Sequence, residues 1–257
     1  MLRGVRRLGK RFGAARAVYR SSRATLVRRR EPERVWREAL PAEIGFWEQE
    51  LPGRVADRDD YRLRADRNAP MRDPVVNMVI ARVPESTVSI IDVGAGPLTA
   101  LGTQHPEKHL SLTATDPLAS EYARIMRDAG IDPPVPPVAC RGEDLLQQFR
   151  PGTFDIAFAR NALDHSADPL LVVNNMVQLV KEGRFVVLRH LRSEGGRQFY
   201  RGLHQWNLDL REGEFVISRP GHRPINVTRE LDNSAIVSCF VDHRDWLVCV
   251  MTKRAAV

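Results

Sequence analysis

Between Val88 and Leu191 the chain alternates short apolar runs with amphipathic stretches. The runs VSIIDVG (88–94), HLSLTATD (109–116), PPVAC (136–140), FDIAFARN (154–161) and RFVVLRHL (184–191) have the length and make-up of buried strands. Among them lie PLASEYARIMRDAG, EDLLQQF and DPLLVVNNMVQLVKEG, whose apolar spacing is helical, the last with a glycine stop at Gly183. This order predicts an α/β fold, a doubly wound, Rossmann-like sheet with helices on both faces. The end of the chain differs. SAIVSCFVD and DWLVCVMTK are β-rich runs with few polar residues between them, which predicts a terminal antiparallel hairpin.

Before the first strand, residues 31–84 are helical in pattern, charged, and interleaved with aromatics. Val75, Val76, Val79 and Ile80 share one helical face, and RDP is a helix start. The expected layout is a basic leader (1–30), a helical N-terminal extension (31–84) packed on the main domain, and that domain (85–257). Residues 193–224, rich in Gly, Arg and His, read as an insertion on the substrate side. Phe46 and Trp47 read first as core staples, with Trp47 also a candidate for acceptor contact.

Charge changes the picture at one end only. The formal net charge is +7, but residues 1–30 hold eleven Lys or Arg and no acid, so residues 31–257 carry 28 basic residues against all 32 acids. A nucleic-acid binder is expected to carry its basic patch on the fold, so nucleic acid is a poor partner for the folded domain. The leader admits three readings: a solvated arm, an amphipathic helix on an anionic membrane surface with Leu2, Val5, Leu8 and Phe12 at helical spacing, and an organelle transit peptide. No run approaches the roughly 18 apolar residues of a membrane span. Cys140, Cys239 and Cys249 lack CxxC spacing and sit in apolar surroundings, so they read as core thiols of a reducing compartment. The cytoplasm, with the inner membrane surface as a peripheral site, is the expected location.

The chemistry concentrates after the first strand. Gly94 and Gly96 would lie at its carboxyl end, where such a sheet binds ligands and where glycine lets a ligand approach the backbone. Alone this is a weak signal. A G-x-G-x-x-G dinucleotide loop would have its third glycine at Thr99, and Asp92 stands before the glycines. Asp116 ends the second strand, where an acid can accept hydrogen bonds from a ribose diol. Two acids and no phosphate loop suit a cationic, phosphate-free nucleoside.

These residues, taken together, resemble a class I S-adenosylmethionine-dependent methyltransferase of the type 11 kind. IDVGAGP resembles the acidic-glycine loop, TATDP the ribose turn, CRGEDLL the adenine-lining segment, and FDIAFARNALDHSADP the segment after strand four. The resemblance covers residues 88–191 and implies a seven-stranded sheet with an antiparallel last strand. It also implies that S-adenosylmethionine is the cofactor. Asp92 would hold the methionine end, Gly94 and Gly96 would admit the ligand, and Asp116 would take the ribose. Gly142 and Glu143 would meet the adenine, with Asn161 and Ala162 beneath the methionine. The family's pattern is broken at Leu98, where a third glycine is usual, and at Arg141, where an acid is common.

Methyl transfer to a hydroxyl needs a positioned base, and histidine suits that task. His165, His190, His204 and His222 are the candidates, with His204 first and His165 second; any of them can instead be a structural hydrogen-bonder. The segment GLHQWNLDL (202–210) puts His204, Trp206 and Asn207 together and offers an apolar face with sugar-like hydrogen bonding. Trp206 reads equally as a cap on the core. This segment and NALDH resemble methyltransferases of glycan biosynthesis, so the expected acceptor is a hydroxyl of a glycan or small molecule. No ligand spacing demands a metal among Asp164, His165, His190 and His204, and none is expected. The rivals are a nucleic-acid methyltransferase using the leader, a non-catalytic S-adenosylmethionine-binding protein, and a nicotinamide oxidoreductase. The oxidoreductase lacks phosphate-contacting glycines and a visible catalytic set.

Overall fold

The computed structural model describes residues 30–255. All readings of the leader fall on residues outside that range, apart from Arg30. Seven strands form one sheet in the order β3-β2-β1-β4-β5-β10-β9. They are β1 (Thr87–Val93), β2 (His109–Asp116), β3 (Val138–Ala139), β4 (Phe154–Arg160), β5 (Val180–Leu191), β9 (Ala235–Val241) and β10 (Trp246–Lys253). The first five are mutually parallel, and β10 runs antiparallel to both β5 and β9. The order reverses between β1 and β4, each side of which was entered from a different crossover, and a ligand crevice is expected there.

The central strands are buried on both faces, as parallel strands must be. Phe154 to Ala159 are all buried. The pleat sorts them: Ile91, Ala157 and Val186 face one layer, and Ile90, Phe158 and Val187 the other. The first layer contains the helix Pro169–Leu179, N-capped by Asp168, which accepts from the Leu171 amide at 3.0 Å. The second layer has an unexpected source. No helix follows β1, and residues 94–108 form an irregular connection. The face that a β1–β2 crossover helix would cover is covered by the helix Pro74–Ile80, which precedes β1 in sequence. Its Val76, Val79 and Ile80 are fully buried against Ile90, Phe158 and Val187. Asp73 caps it through the Val75 and Val76 amides, with Pro74 at the first position.

The N-terminal segment is one 26-residue helix, Pro32–Asp57, followed by a short helix Asp59–Arg64. Leu51 and Tyr61 pack with Leu98, Leu118 and Tyr122 over the β1–β2 side of the sheet. Arg141–Glu33 (2.7 Å) and an Arg124–Glu48 pair tie it to the domain.

Three expectations change. The helix after Asp168 stops at Leu179, and β5 begins at Val180. Gly183 lies inside β5 with φ +70°, at a register shift between β4 and β5, so it marks a bulge and not a helix stop. The segment 193–224 contains most of a second, three-stranded antiparallel sheet of β6 (Asn207–Arg211), β7 (Glu214–Ser218) and β8 (Ile225–Asn226). Finally, Cys239 and Cys249 are not free thiols. They face each other across β9 and β10 with Cα atoms 4.2 Å apart and form a disulfide, while Cys140 is free and buried. That spacing fits a close cross-strand pair, which the hairpin register decides and the local sequence does not show.

Candidate functional site

At the carboxyl ends of β1, β2 and β4 lies a cavity of about 470 Å³, roofed by the helix Pro32–Asp57. It is in the size range of a cofactor site. Its walls include every residue assigned to the cofactor from the sequence: Asp92, Gly94, Gly96 and Asp116, then Gly142, Glu143, Asn161 and Ala162.

At the β1–β2 end the glycines are needed. Gly94 (φ +70°) and Gly96 (φ +66°) have left-handed backbone, and a Cβ on Gly94 would stand 2.4 Å from the Ala162 Cβ. Gly94 and Ala95 both donate their amides to the Thr115 carbonyl, folding the loop against β2. Asp116 accepts from the Leu118 amide at 2.9 Å and the Gly96 amide at 3.0 Å, one on each oxygen. Each oxygen keeps a lone pair for a diol. Burial pushes its carboxyl up to about 7 against these two bonds. Asp92 accepts the Thr99 hydroxyl at 2.5 Å on Oδ2, while its buried Oδ1 has no partner among the described residues. Burial raises it to about 6, although Thr99, Arg64 and Arg160 pull it down. A buried carboxylate oxygen without a donor fits a ligand that brings a cationic N–H. The position of the missing third glycine is thereby explained. Thr99 holds Asp92, and Leu98 is a buried core residue.

The adenine candidates behave differently. The Gly142 and Glu143 carbonyls both accept from the Asn175 amide group, at 3.1 and 2.8 Å. The Glu143 carboxylate receives the Ala167 and Asp168 amides, so it serves the wall of the cavity first. Arg141 lies over Trp36 at 4.1 Å, and both line the cavity. Asn161 is left-handed (φ 48°), a conformation asparagine tolerates, and its side chain accepts from Leu191 N at 2.8 Å.

On the β4–β5 side of the cavity three side chains converge. His204 Nδ1 is 2.7 Å from Asp164 Oδ2 and 3.0 Å from His165 Nε2. Both histidines line the cavity, and Asp164 is buried behind them. Burial would raise Asp164, but the neighbouring His165 charge, the His204 hydrogen bond and the field of His190 hold it below the usual carboxylate range. Burial pulls His204 down, and the Asp164 hydrogen bond and charge more than reverse that, so it lies above the ordinary imidazole value. His190 is buried with neither ring nitrogen partnered among the described residues, and burial pushes it down to about 4, so it is neutral near pH 7. It cannot serve as a base at the cavity. The three convergent donor atoms are also close enough for a metal ion. A tetrahedral ion with bonds of 2.0–2.1 Å would space its ligands about 3.3–3.4 Å apart. The 2.7 and 3.0 Å separations are instead those of hydrogen bonds.

Of the acceptor candidates, Trp47 lines the cavity, its Nε1 donating to Glu43 at 2.9 Å. Trp206 and Asn207 do not line it. Trp206 is buried, donates to the Ser166 carbonyl at 3.0 Å and supports the Asp164 turn from behind; Asn207 holds Gly196 N and Tyr200. His222 lies against Trp206, away from the cavity. Sequence reasoning passed over Asp164 except as a metal ligand. The signal for it was an acid beside His165 in an otherwise apolar turn.

Residues 91–188 match the family model of a methyltransferase domain. Comparison with curated proteins finds no match. Among solved structures, the chain is similar to the 1,6-didemethyltoxoflavin-N1-methyltransferase of Burkholderia thailandensis, with bound 1,6-didemethyltoxoflavin and S-adenosylhomocysteine. Identity is 16%, with 86% of this chain and 89% of that one covered and a TM-score of 0.50. It is also similar to the CurJ carbon methyltransferase, at 17% identity and TM-score 0.50, covering 70% of this chain and 52% of that one. These likenesses concern the fold.

Proposed function

We propose, starting from a chain that carries a class I S-adenosylmethionine-dependent methyltransferase domain with S-adenosylmethionine as its cofactor, that the acceptor is a hydroxyl of a small molecule or glycan. The observation that carries this reading is the hydrogen bond from His204 to the buried Asp164 at the cavity wall. A hydroxyl is a poor nucleophile until its proton is accepted, whereas an amine attacks with a free lone pair, so an oriented imidazole favours oxygen.

The bound cofactor supplies a methyl group already activated by a sulfonium. The chain does the rest. Asp92 Oδ1 would take the cofactor's ammonium, Asp116 its ribose hydroxyls, and Arg64, which reaches the Leu98 carbonyl at 3.5 Å, would face its carboxylate. His204 carries its proton on Nδ1, donated to Asp164, which leaves Nε2 with the lone pair that receives the acceptor's proton. Asp164 then faces an imidazolium and stabilises it. His165, 3.0 Å from the same Nδ1, shares that N–H as a second acceptor and acts as a positioning residue. Trp36, Phe46, Trp47 and Trp246 line the cavity with the flat apolar surface on which a sugar or aromatic acceptor would rest.

The test is transfer of a labelled methyl from S-adenosylmethionine to sugars, phenols and cell extract. His204→Ala should lose transfer while still binding S-adenosylhomocysteine; full transfer by that variant would overturn the assignment. The leader, with eleven Lys or Arg and no acid, would add attraction to an anionic membrane. No helix among the described residues is long and apolar enough to cross one. Deleting residues 1–30 should abolish partitioning onto anionic vesicles, and unchanged partitioning would refute that role.

A further inference from the structure

Arg160 is the last residue of β4, on the strand that leads into the Asn161–Asp164 turn. Its side chain lines the cavity and its guanidinium lies 5.0 Å above the ring of Trp246, which lines the cavity as well. It is exposed, and among the described residues it makes no hydrogen bond and no ion pair, although its five N–H donors form a rigid fork suited to an oxyanion. The charges around it do not compensate. Arg64, at the end of the helix Asp59–Arg64, and Arg189, from β5, are like charges. The acids that face it, Asp60 and Asp73, are already claimed: Asp73 pairs with Arg189 at 2.5 Å, and Asp60 with Arg58 at 3.1 Å and Arg64 at 3.7 Å. Arg160 is still exposed to solvent at its place in the cavity wall, and the partial shielding there together with the two neighbouring arginines lowers its pKa from the ordinary value, a condition that an anion relieves.

The place of this cation in the sheet separates it from the nucleoside. Asp116 ends β2 and Gly142 follows β3, on one side of β1. Arg160 ends β4, and Trp246 begins β10, which pairs with β5 on the other side. Asp164, behind His204, is four residues beyond Arg160. An acceptor whose hydroxyl meets His204 therefore has a cation and an aromatic plane within the same half of the cavity.

We propose that Arg160 and Trp246 form an anion subsite for the acceptor, so that the molecule methylated here carries a carboxylate or phosphate beside its reacting hydroxyl. The inference rests on the hydroxyl-transferase reading for its acceptor, and not for the anion site itself. A carboxylate or phosphate takes two parallel N–H bonds from the guanidinium, whose far face stays on the indole. A neutral sugar or phenol resting on Arg160 would take its exposed donors out of water without pairing them, and the anionic analogue is favoured by that penalty.

Three measurements test this. First, calorimetry with S-adenosylhomocysteine should give the same affinity for Arg160→Met as for the unaltered protein. A loss of tenfold or more, on the order of one charge-assisted hydrogen bond, would assign Arg160 to the cofactor's carboxylate and overturn the proposal. Second, protein saturated with S-adenosylhomocysteine is titrated with 4-hydroxybenzoate, with its uncharged amide, and with inorganic phosphate. The carboxylate should bind about 10- to 100-fold more tightly than the amide, and phosphate should displace it; Arg160→Met should erase the difference and Arg160→Lys restore part of it. Equal binding of acid and amide by the unaltered protein would overturn the subsite. Third, labelled product formed from extract should be retained by an anion exchanger at neutral pH, and an uncharged product would also overturn it. If extract yields no labelled product, the hydroxyl-transferase reading fails, and the two binding measurements still decide the subsite.

Discussion

The two ends of the cavity hold three buried carboxylates in opposite electrostatic states. Asp92 and Asp116 are raised to about 6 and about 7, because burial removes water and supplies only amides and one hydroxyl in return. Asp164 is just as buried and is held low, because His165, His204 and His190 surround it. On the reading proposed above, the difference separates binding from chemistry. Asp92 keeps a buried oxygen without a partner among the described residues and Asp116 is bonded only by two amides, whereas Asp164 is bonded to His204 by the chain itself. In the proposed site, the raised acids are where a ligand would bring the compensation, and the lowered acid is where the protein already provides it.

The largest expected effect breaks the self-sufficient end. His204→Ala should lower kcat about 10²- to 10⁴-fold, the usual contribution of a positioned base, with S-adenosylhomocysteine affinity unchanged by calorimetry. Asp164→Asn should remove the interactions that lift His204. The base is active when deprotonated, so transfer rises with pH through the His204 pKa. In the Asn variant that rise should move to lower pH while its plateau falls. A profile that stays in place would show that Asp164 does not act through His204.

The next effect is on affinity. Asp116→Ala should weaken S-adenosylmethionine binding about 10- to 100-fold, the loss expected from one or two charged hydrogen bonds, while kcat at saturation changes little. A change confined to kcat would merge the two ends into one site.

A smaller effect is on stability, and its sign follows from the raised pKa values. Asp92 and Asp116 bind protons more tightly folded than unfolded, where the ordinary value is 3.8. Their contribution to stability is fully present below that value and is lost as pH rises through about 6 and about 7. Ligand-free Asp92→Asn should therefore melt a few degrees higher than the parent at pH 8, on the order of 2–4 °C for each kcal/mol recovered, with no gain at pH 4. The same variant should bind the cofactor less tightly. A lower melting temperature at pH 8 would mean that Asp92 is stabilised by neighbours other than those named.

The two ends were not equally legible in the sequence. Asp92, Gly94, Gly96 and Asp116 lie within 25 residues of one another on adjacent parallel strands, so local spacing exposes them. The chemical end is assembled by tertiary contact: Asp164 and His204 are 40 residues apart, and the Gln205 amide donates to the Asp164 carbonyl to hold the two segments together. The central strands of the sheet could be read because β1, β4 and the second half of β5 are buried runs with turn residues around them. What covers the sheet was harder to read. Val76, Val79 and Ile80 showed a helical face, but nothing local said that it would replace the missing β1–β2 crossover helix. The hairpin of β6 and β7 did leave a signal: the alternating NLDLR and the apolar run of EFVIS lie on either side of Glu212–Gly213. That two-residue turn has both residues at positive φ (53° and 80°), and the short strands were lost among the polar residues of the insertion. Trp206 reads in the sequence both as an acceptor contact and as a core cap, and its burial agrees with the cap. It stands two residues from His204, yet the start of β6 turns it into the core, where it supports the Asp164 turn.

The smallest expected effect is none, and it bears directly on the contrast between the ends. If His204 is hydrogen-bonded to both Asp164 and His165, a cation at that point would compete with the Nδ1 proton that fixes His204. Dialysis against a strong chelator should then leave methyl transfer unchanged, and metal analysis of the purified protein should find no stoichiometric ion. Loss of transfer on chelation, restored by zinc or cobalt, would reverse the comparison. The acid at the chemical end would then be as dependent on a ligand as Asp92 and Asp116, and the 2.7 and 3.0 Å contacts would have to open toward the wider spacing of a coordinated ion.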